Sequence, residues 1–153
     1  MPTAIAAYAG LKTLSKQADS AKEWIDWFTE LSDTPEEIQE LSDKADVARD
    51  TIKQVQQLIK ARPDLLEGDK QGEALKEQIE DAVDSTNRAL GKMTKLLAEI
   101  SKKGGGSEQG NMMRDFWRSY RYRDEFKDKI EKADVDVQKE LTGLSKLMLN
   151  LNT

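Results

Sequence analysis

Apolar residues recur along the first part of this chain at alternating steps of three and four positions. This is the period of a helix that buries one face. The stripe consists of Ala4, Ala7, Leu11, Leu14, Ala18, Ala21, Ile25 and Phe28. It predicts a long first helix over residues 3–31. The early turns are rich in alanine, and Gly10 lowers helix stability by about 1 kcal/mol relative to alanine.

Three further stripes predict three more helices. The second helix should begin at Thr34, Pro35 and Glu37, where Thr34 caps, Pro35 takes the first helical position and Glu37 completes a capping box. It should end before Pro63, because the residue before a proline is disfavoured in a helix. The third helix is expected over 71–102. A fourth is expected over 112–151, with a bend near Arg123 and room for a short extra helix over 112–121.

The predicted fold class is all-α, an elongated up-down-up-down bundle of four long helices. At 1.5 Å per residue each helix would be about 40 to 60 Å long. The glycine-rich segment 103–110 is expected to be a flexible loop. It lacks the strand and the Gly-Lys-Ser/Thr ending of a phosphate-binding loop. We expect residues 1–153 to form a single domain, because neither half would bury its stripe alone.

Composition narrows the classes of function. The 153 residues include no cysteine and no histidine, which removes the thiolate, the commonest general base and the commonest transition-metal ligand. The serines have no activating base in prospect. We therefore expect a protein that is not an enzyme, with no catalytic residue, no metal site, no cofactor and no small-molecule substrate.

Charge is distributed unevenly. Residues 19–50 hold eleven acidic and three basic side chains, whereas residues 114–123 hold four arginines and one acid. We define the basic cluster as Arg114, Arg118, Arg121 and Arg123. A molecule with this polarity can orient at an anionic surface. For the acidic region, the simpler interpretation is that the charges solvate helix faces.

Aromatic residues are interleaved with the basic cluster, and this pattern has three interpretations. In the first interpretation the aromatic residues have a purely structural role. The rings would close one end of the bundle while the arginines extend outward; these rings are Phe116, Trp117 and Tyr120. As a membrane or partner site, the arginines would contact anionic groups and the aromatic rings the interface. Nucleic-acid binding is disfavoured, because the net charge is −5 and no nucleic-acid-binding motif is present.

Membrane-spanning and secretory segments are not expected. No stretch reaches the roughly 20 apolar residues that a bilayer-spanning helix needs. The amino terminus lacks the basic start and long apolar middle of a signal peptide. The longest stretch without a charged side chain runs from Met1 to Leu11 and is mostly alanine.

Three groups of motifs resemble the HeLo-like N-terminal domains of fungal NLR-like (STAND) proteins and related cell-death effectors. The first is Trp24-Ile25-Asp26-Trp27-Phe28 after an alanine-rich start. The second is Thr34-Pro35-Glu36-Glu37-Ile38-Gln39-Glu40-Leu41, continued by Ala48-Arg49-Asp50-Thr51-Ile52. The third is Phe116-Trp117-Arg118, followed by a charged helix and the leucine-rich stretch 141–147. The resemblance spans nearly the whole chain, on degenerate motifs.

The resemblance implies a cell-death execution or signalling domain, similar to the four-helix bundle of the necroptosis pseudokinase. Activation would free the N-terminal helix to permeabilise the membrane, and the chain would be cytoplasmic with recruitment to the plasma membrane. The implied partners are anionic lipid and either a second copy or another protein. The alternative is a protein-interaction scaffold without membrane activity. The implied membrane-active residues are Ala4, Ile5, Ala7, Tyr8, Leu11 and Leu14, with the basic cluster as a lipid or partner site.

Overall fold

The computed structural model describes residues 2–31, 33–62, 70–104 and 110–151. Within these ranges it leaves out the side chains of residues 2–9, 70–73, 75, 110–112, 148, 150 and 151. The described chain is helical with no strand, which confirms the predicted all-α class. Most of the predicted flexible loop at 103–110 lies outside the described residues.

Four long helices and several short ones make up the described chain. The long helices are α1 (Pro2–Thr29), α3 (Leu41–Ala61), α4 (Lys70–Lys103) and α7 (Asp128–Leu151). The short ones are α2 (Glu36–Gln39), α5 (Gly110–Trp117) and α6 (Tyr120–Tyr122). A π-helical turn over Arg123–Lys127 joins α6 to α7. The expected bend near Arg123 and the short helix before it are therefore both present.

The long helices form a four-cornered bundle. α1 packs against α3 and α4, and α7 packs against the same two helices. α1 and α3 are antiparallel, since Lys22 reaches Asp46 while Gln56 reaches Leu11. α1 and α4 run in the same direction, since Asn87 contacts Gly10 while Gly91 lies against Gln17. Thus α3 and α4, which are consecutive in the chain, occupy opposite corners.

The predicted apolar stripes form one continuous core. From α1, Leu11, Leu14, Ala18, Ala21, Ile25 and Phe28 are all buried. Midway along the bundle, α1 and α3 pack closely through small residues. The cleft there has a volume of only about 10 Å³, and its lining includes Ala18, Ala21, Ala45 and Ala48. Small side chains let helix axes approach closely. A Cβ at Gly91 would lie 2.9 Å from Gln17 Oε1, so this glycine marks a close contact with α1, as its position inside a helix indicated.

The expected capping box at the start of the second helix is wrong. The Thr34 hydroxyl donates hydrogen bonds to the carbonyl oxygens of Phe28 and Leu31, so it closes the end of α1. Pro35 is the N-cap of α2, without a side-chain capping bond. The backbone turns at Asp33, whose φ is 62°. This left-handed turn directs Thr34 back toward α1, which the local pattern around Thr34 could not reveal.

The first testable prediction concerns Phe28, whose ring is fully buried between α1 and α5. We expect Phe28→Ala to lower the free energy of unfolding by about 3 to 5 kcal/mol, because it removes buried apolar surface and leaves a cavity. Urea denaturation followed by circular dichroism measures the loss. The control is Tyr120→Ala, at a ring that is 79% exposed, with an expected change within about 0.5 kcal/mol. Equal losses in the two variants would contradict this packing.

Candidate functional site

Buried aromatic rings close one end of the bundle, and we call this group the aromatic cap: Phe28, Phe116, Trp117, Tyr122 and Phe126. The centroid of Trp117 lies 5.4 Å from that of Phe28 and 5.0 Å from that of Tyr122, both edge-on. The centroids of Phe116 and Phe126 are 5.8 Å apart. These are favourable separations for aromatic pairs. The cap holds α5, α6 and the π-helical turn, which carry the basic cluster, against the end of α1.

Tyr120 is not part of the cap, contrary to the sequence-based expectation. Its side chain is 79% exposed, whereas Tyr122 is 3% exposed. The cause is the break between α5 and α6, where Ser119 accepts a hydrogen bond from the backbone N–H of Tyr122 and starts a new helix. An uninterrupted helix would keep Phe116 and Tyr120 on one face, four residues apart. The restart shifts the phase and turns Tyr122 inward.

Tyr122 joins the cap to α2. Its hydroxyl donates a hydrogen bond of 2.7 Å to Glu37 Oε1. Burial raises the pKa of Tyr122 well above its usual range, and the bond to the Glu37 carboxylate raises that pKa further. The phenol therefore stays protonated at neutral pH. Tyr122 thus acts as a structural hydrogen-bond donor. Its bond also gives the Glu37 carboxylate a partner other than the capping box that the sequence predicted.

The structure places the four arginines of the basic cluster around the cap but in different settings. Arg118 is exposed and forms an ion pair with Asp33. Arg121 is exposed, and its Nε lies 3.7 Å from Glu125 Oε1. Arg123 is exposed on the π-helical turn. Arg114 is half-buried, and among the described residues its buried Nε has no hydrogen-bond partner.

These ion pairs change the charge that the basic cluster presents. Asp33 and Glu125 neutralise part of the charge of Arg118 and Arg121. Exposed pairs of this kind contribute only about 0 to 1 kcal/mol, so an anionic group that binds more strongly can displace the acids. Asp33 is 85 residues away in the chain from Arg118, which is why the local charge count overestimated this surface.

The predicted membrane-active segment divides at Gly10. The side chains of Ala4, Ile5, Ala7 and Tyr8 lie outside the described residues, although the backbone of α1 begins at Pro2. Leu11 is 1% exposed and Leu14 is fully buried. Both belong to the core formed with α3 and α4. They could contact lipid only after leaving it, at a cost of roughly 1.5 to 3 kcal/mol for each side chain.

Amide side chains hold α1 at this dividing point, and we call Gln17, Gln56 and Asn87 the amide clasp. Asn87 Nδ2 on α4 donates to the Gly10 carbonyl oxygen at 3.2 Å. Gln56 Nε2 on α3 donates to the Leu11 carbonyl oxygen at 3.3 Å. Gln17 Nε2 donates to Asn87 Oδ1 at 3.3 Å. Sequence reasoning missed the clasp; the only signal was uncharged amides flanking the apolar stripes.

Two open grooves run along the bundle. The groove between α1 and α3 has a volume of about 490 Å³ and is lined by Asp19, Asp46, Arg49, Asp50 and other polar residues. The groove between α4 and α7 has a volume of about 330 Å³ and an apolar floor. Among the described residues no three acidic side chains converge as a metal site would require. Within the same residues no helix is long and apolar enough to cross a bilayer.

Comparison with known proteins returned no match. No family model, no curated protein and no solved structure is similar to the chain. The resemblance to HeLo-like domains therefore stays a prediction from sequence motifs.

The second testable prediction uses the raised pKa of Tyr122. The unfolded phenol ionises near its ordinary pKa of 10.0, whereas the folded phenol stays protonated to higher pH. The stabilising contribution of Tyr122 is thus complete below pH 10 and is lost as the pH rises above it, by about 1.4 kcal/mol per pH unit. Tyr122→Phe should remove this part of the pH dependence. Urea denaturation between pH 8 and about 11.5 measures it.

The matched control is Tyr120→Phe, because the Tyr120 side chain is 79% exposed. Its stability should follow that of the unmodified chain across the range. If Tyr122→Phe also follows the unmodified chain, the Tyr122–Glu37 contact does not hold the phenol protonated.

Proposed function

We propose that this chain is a cell-death execution or signalling domain that acts by self-association and by membrane permeabilisation through its N-terminal helix. One observation carries the proposal: the amide clasp holds α1 at the end of its only long stretch without charged side chains. The family resemblance supports it independently, through the alanine-rich start and the motifs that follow.

The energetics of the clasp support release of this segment. A neutral side-chain hydrogen bond contributes about 0.5 to 1.5 kcal/mol, so the bonds at Gly10 and Leu11 can break without unfolding the bundle. Four of the eight residues from Pro2 to Ala9 are alanines, and an alanine side chain has little apolar area to bury. Leu11 and Leu14 resist further release because they belong to the core. Opening beyond Gly10 therefore needs a compensating interaction, such as lipid or contact between copies.

The basic cluster lies at the other end of the bundle from the clasp. α1 runs from the clasp to the aromatic cap, and its 28 residues correspond to a length of about 42 Å. A bundle that stands on a membrane with one end can therefore present either the N-terminal segment or the basic cluster. We assign insertion to the N-terminal segment. The basic cluster is assigned to headgroup or partner contact.

A scaffold bundle without membrane activity is the second candidate function. The arginine pairs with Asp33 and Glu125 favour it, since they lower the charge available for lipid.

The third prediction tests membrane action with a reversible lock. A Cβ at Gly10 would lie 3.2 Å from Val83 Cγ1, which brings the two positions within disulfide reach. The chain has no cysteine, so Gly10→Cys with Val83→Cys forms one defined bond between α1 and α4. On phosphatidylserine vesicles we expect oxidation to slow dye leakage at least about tenfold, because the bond prevents release of α1 beyond Gly10. Reduction should restore leakage.

The controls are the unmodified chain with oxidant and each single cysteine variant. Equal leakage from locked and reduced protein would exclude release of α1 beyond Gly10 as a step in the mechanism. Leakage that survives deletion of residues 2–9 would exclude that segment as the effector. An unmodified chain that self-associates but causes no leakage at any concentration would establish the scaffold function instead.

The fourth prediction concerns the amide clasp. Asn87→Ala removes the donor to Gly10 and the acceptor for Gln17. We expect hydrogen exchange of α1 amides near the clasp to accelerate at least about fivefold, since two hydrogen bonds of about 0.5 to 1.5 kcal/mol each are lost. Amides of α7, which does not contact the clasp, should be unchanged. The control is Thr94→Ala, whose hydroxyl bonds only within α4. Faster exchange in α7 would indicate general destabilisation and contradict a local clasp.

A further inference from the structure

The groove between α4 and α7 has a basic rim. Lys92 and Lys95 of α4 face Lys129 and Lys132 of α7, against only Glu99 and Asp136 among the lining residues. Its floor is apolar and made by Ala89, Leu96 and Ala133. An amphipathic helix with acidic edges is the occupant that such a groove fits, because its apolar side can cover the floor while its acids meet the lysines.

This chain carries such a helix surface itself. Asp43, Asp46, Val47 and Asp50 of α3 are all exposed, at spacings of three, four and seven that place them on one side of the helix. We call this group the acidic ridge. The Val47 side chain is 56% exposed and is not among the described residues that form the hydrophobic core.

The neighbouring bases do not cancel the charge of the acidic ridge. Lys44 pairs with Asp134 of α7, and Arg49 pairs with Asp19 of α1. These two contacts direct Lys44 and Arg49 toward the neighbouring helices. Asp46 and Asp50 line the α1–α3 groove together with Lys53, and the three acids of the ridge remain exposed. Asp46 has one basic partner, Lys22.

The acidic ridge and the basic groove match in length but cannot meet within one molecule. The ridge runs from Asp43 to Asp50, and the groove runs over Lys92–Glu99 and Lys129–Asp136. Each extends about 10 Å along a helix. The packing that puts α3 and α4 at opposite corners also points the ridge away from the groove of its own bundle. The complementary surface must come from another copy.

We propose that the acidic ridge of one copy docks into the α4–α7 groove of a second copy. Val47 covers the floor formed by Ala89, Leu96 and Ala133, and Asp43 and Asp50 pair with lysines of the rim. The contact joins two different surfaces, so each copy keeps one ridge and one groove free and the assembly can grow into a ring or filament. This inference deepens the self-association in the proposed function. Its test needs no membrane.

The experiment is sedimentation velocity of the full chain at low and high salt. We expect concentration-dependent association at about 50 mM salt that weakens at about 500 mM, because the contact is electrostatic. Two charge-reversed variants are compared: a ridge variant, Asp43→Lys with Asp50→Lys, and a groove variant, Lys95→Glu with Lys132→Glu. Each alone places like charges together and should weaken self-association at least about tenfold.

Mixing the two variants is the decisive measurement. The reversed ridge complements the reversed groove, and the native groove complements the native ridge. An equimolar mixture should therefore associate as the unmodified chain does. Val47→Ala should weaken association about threefold or more, whereas Val135→Ala, at a valine of similar exposure on α7, should not. Lys139→Glu with Lys146→Glu serves as the charge control outside the groove.

Three outcomes would overturn the proposal: a monomer at every concentration in low salt, association unaffected by both reversed variants, or a mixture that stays dissociated. Circular dichroism shows whether the variants remain folded, and all altered side chains are exposed. A monomeric chain that binds phosphatidylserine vesicles through the groove lysines would make the groove a lipid site instead. Sedimentation measures self-association without vesicles. A negative result there would therefore overturn the ridge–groove contact without bearing on dye leakage, which tests the proposed function separately.

Discussion

Burial of the α1 stripe between α3 and α4 is the interaction on which the rest of the bundle depends. α1 and α7 are the two helices that contact both α3 and α4, and α3 and α4 occupy opposite corners. If α1 left completely, Leu11, Leu14, Ile25 and Phe28 would lose their cover, and so would the faces of α3 and α4. The bundle could therefore remain folded only if part of α1, and not all of it, left its place between α3 and α4. The amide clasp binds α1 at Gly10 and Leu11, where the buried core stripe begins.

The aromatic cap secures the other end of α1. Phe28 packs against Trp117, and Tyr122 links the same cluster to Glu37 on α2. Thr34 closes the end of α1 at the same place. Two distant parts of the sequence, residues 28–37 and 117–122, thus meet around Phe28. The end of α1 near the cap is held by large buried rings, whereas Gly10 and Leu11 accept hydrogen bonds from neutral amides.

Charge is arranged by side of the bundle more than by segment of the chain. The acids of α1 and α3 are partly paired across their shared groove, where Lys22 bonds to both Asp26 and Asp46. Burial opposes the charged form of Lys22, but these hydrogen bonds outweigh it and raise the pKa of its ammonium group. The lysines of α4 and α7 gather around a different groove. The surface charge of the molecule is therefore described better by the acidic ridge and the basic groove than by the net charge of −5.

The sequence by itself determined the all-α class, the four long helices, the core stripe from Leu11 to Phe28 and the break near Arg123. These follow from helical periodicity and from local breakers such as Pro63 and the glycine run, and both act over a few residues. Within the candidate site, burial of Phe116 and Trp117 was one of three interpretations of the pattern, and the structure shows both side chains buried. The amino-terminal segment was singled out by its composition, and its role remains a prediction.

Only the tertiary structure decided which helices are neighbours, since four similar amphipathic stripes can pack in more than one order around a common core. It also decided that Tyr122 is buried while Tyr120 is exposed, because a helix restart at Ser119 changes the phase by an amount that composition does not encode. Asp33 and Glu37 pair with Arg118 and Tyr122, each 85 residues away in the chain. Thr34 bonds back to the end of α1 instead of capping α2. Long-range contacts override local preferences where a turn brings distant side chains together, and the cap, the clasp and the ridge opposite the groove all arise in this way.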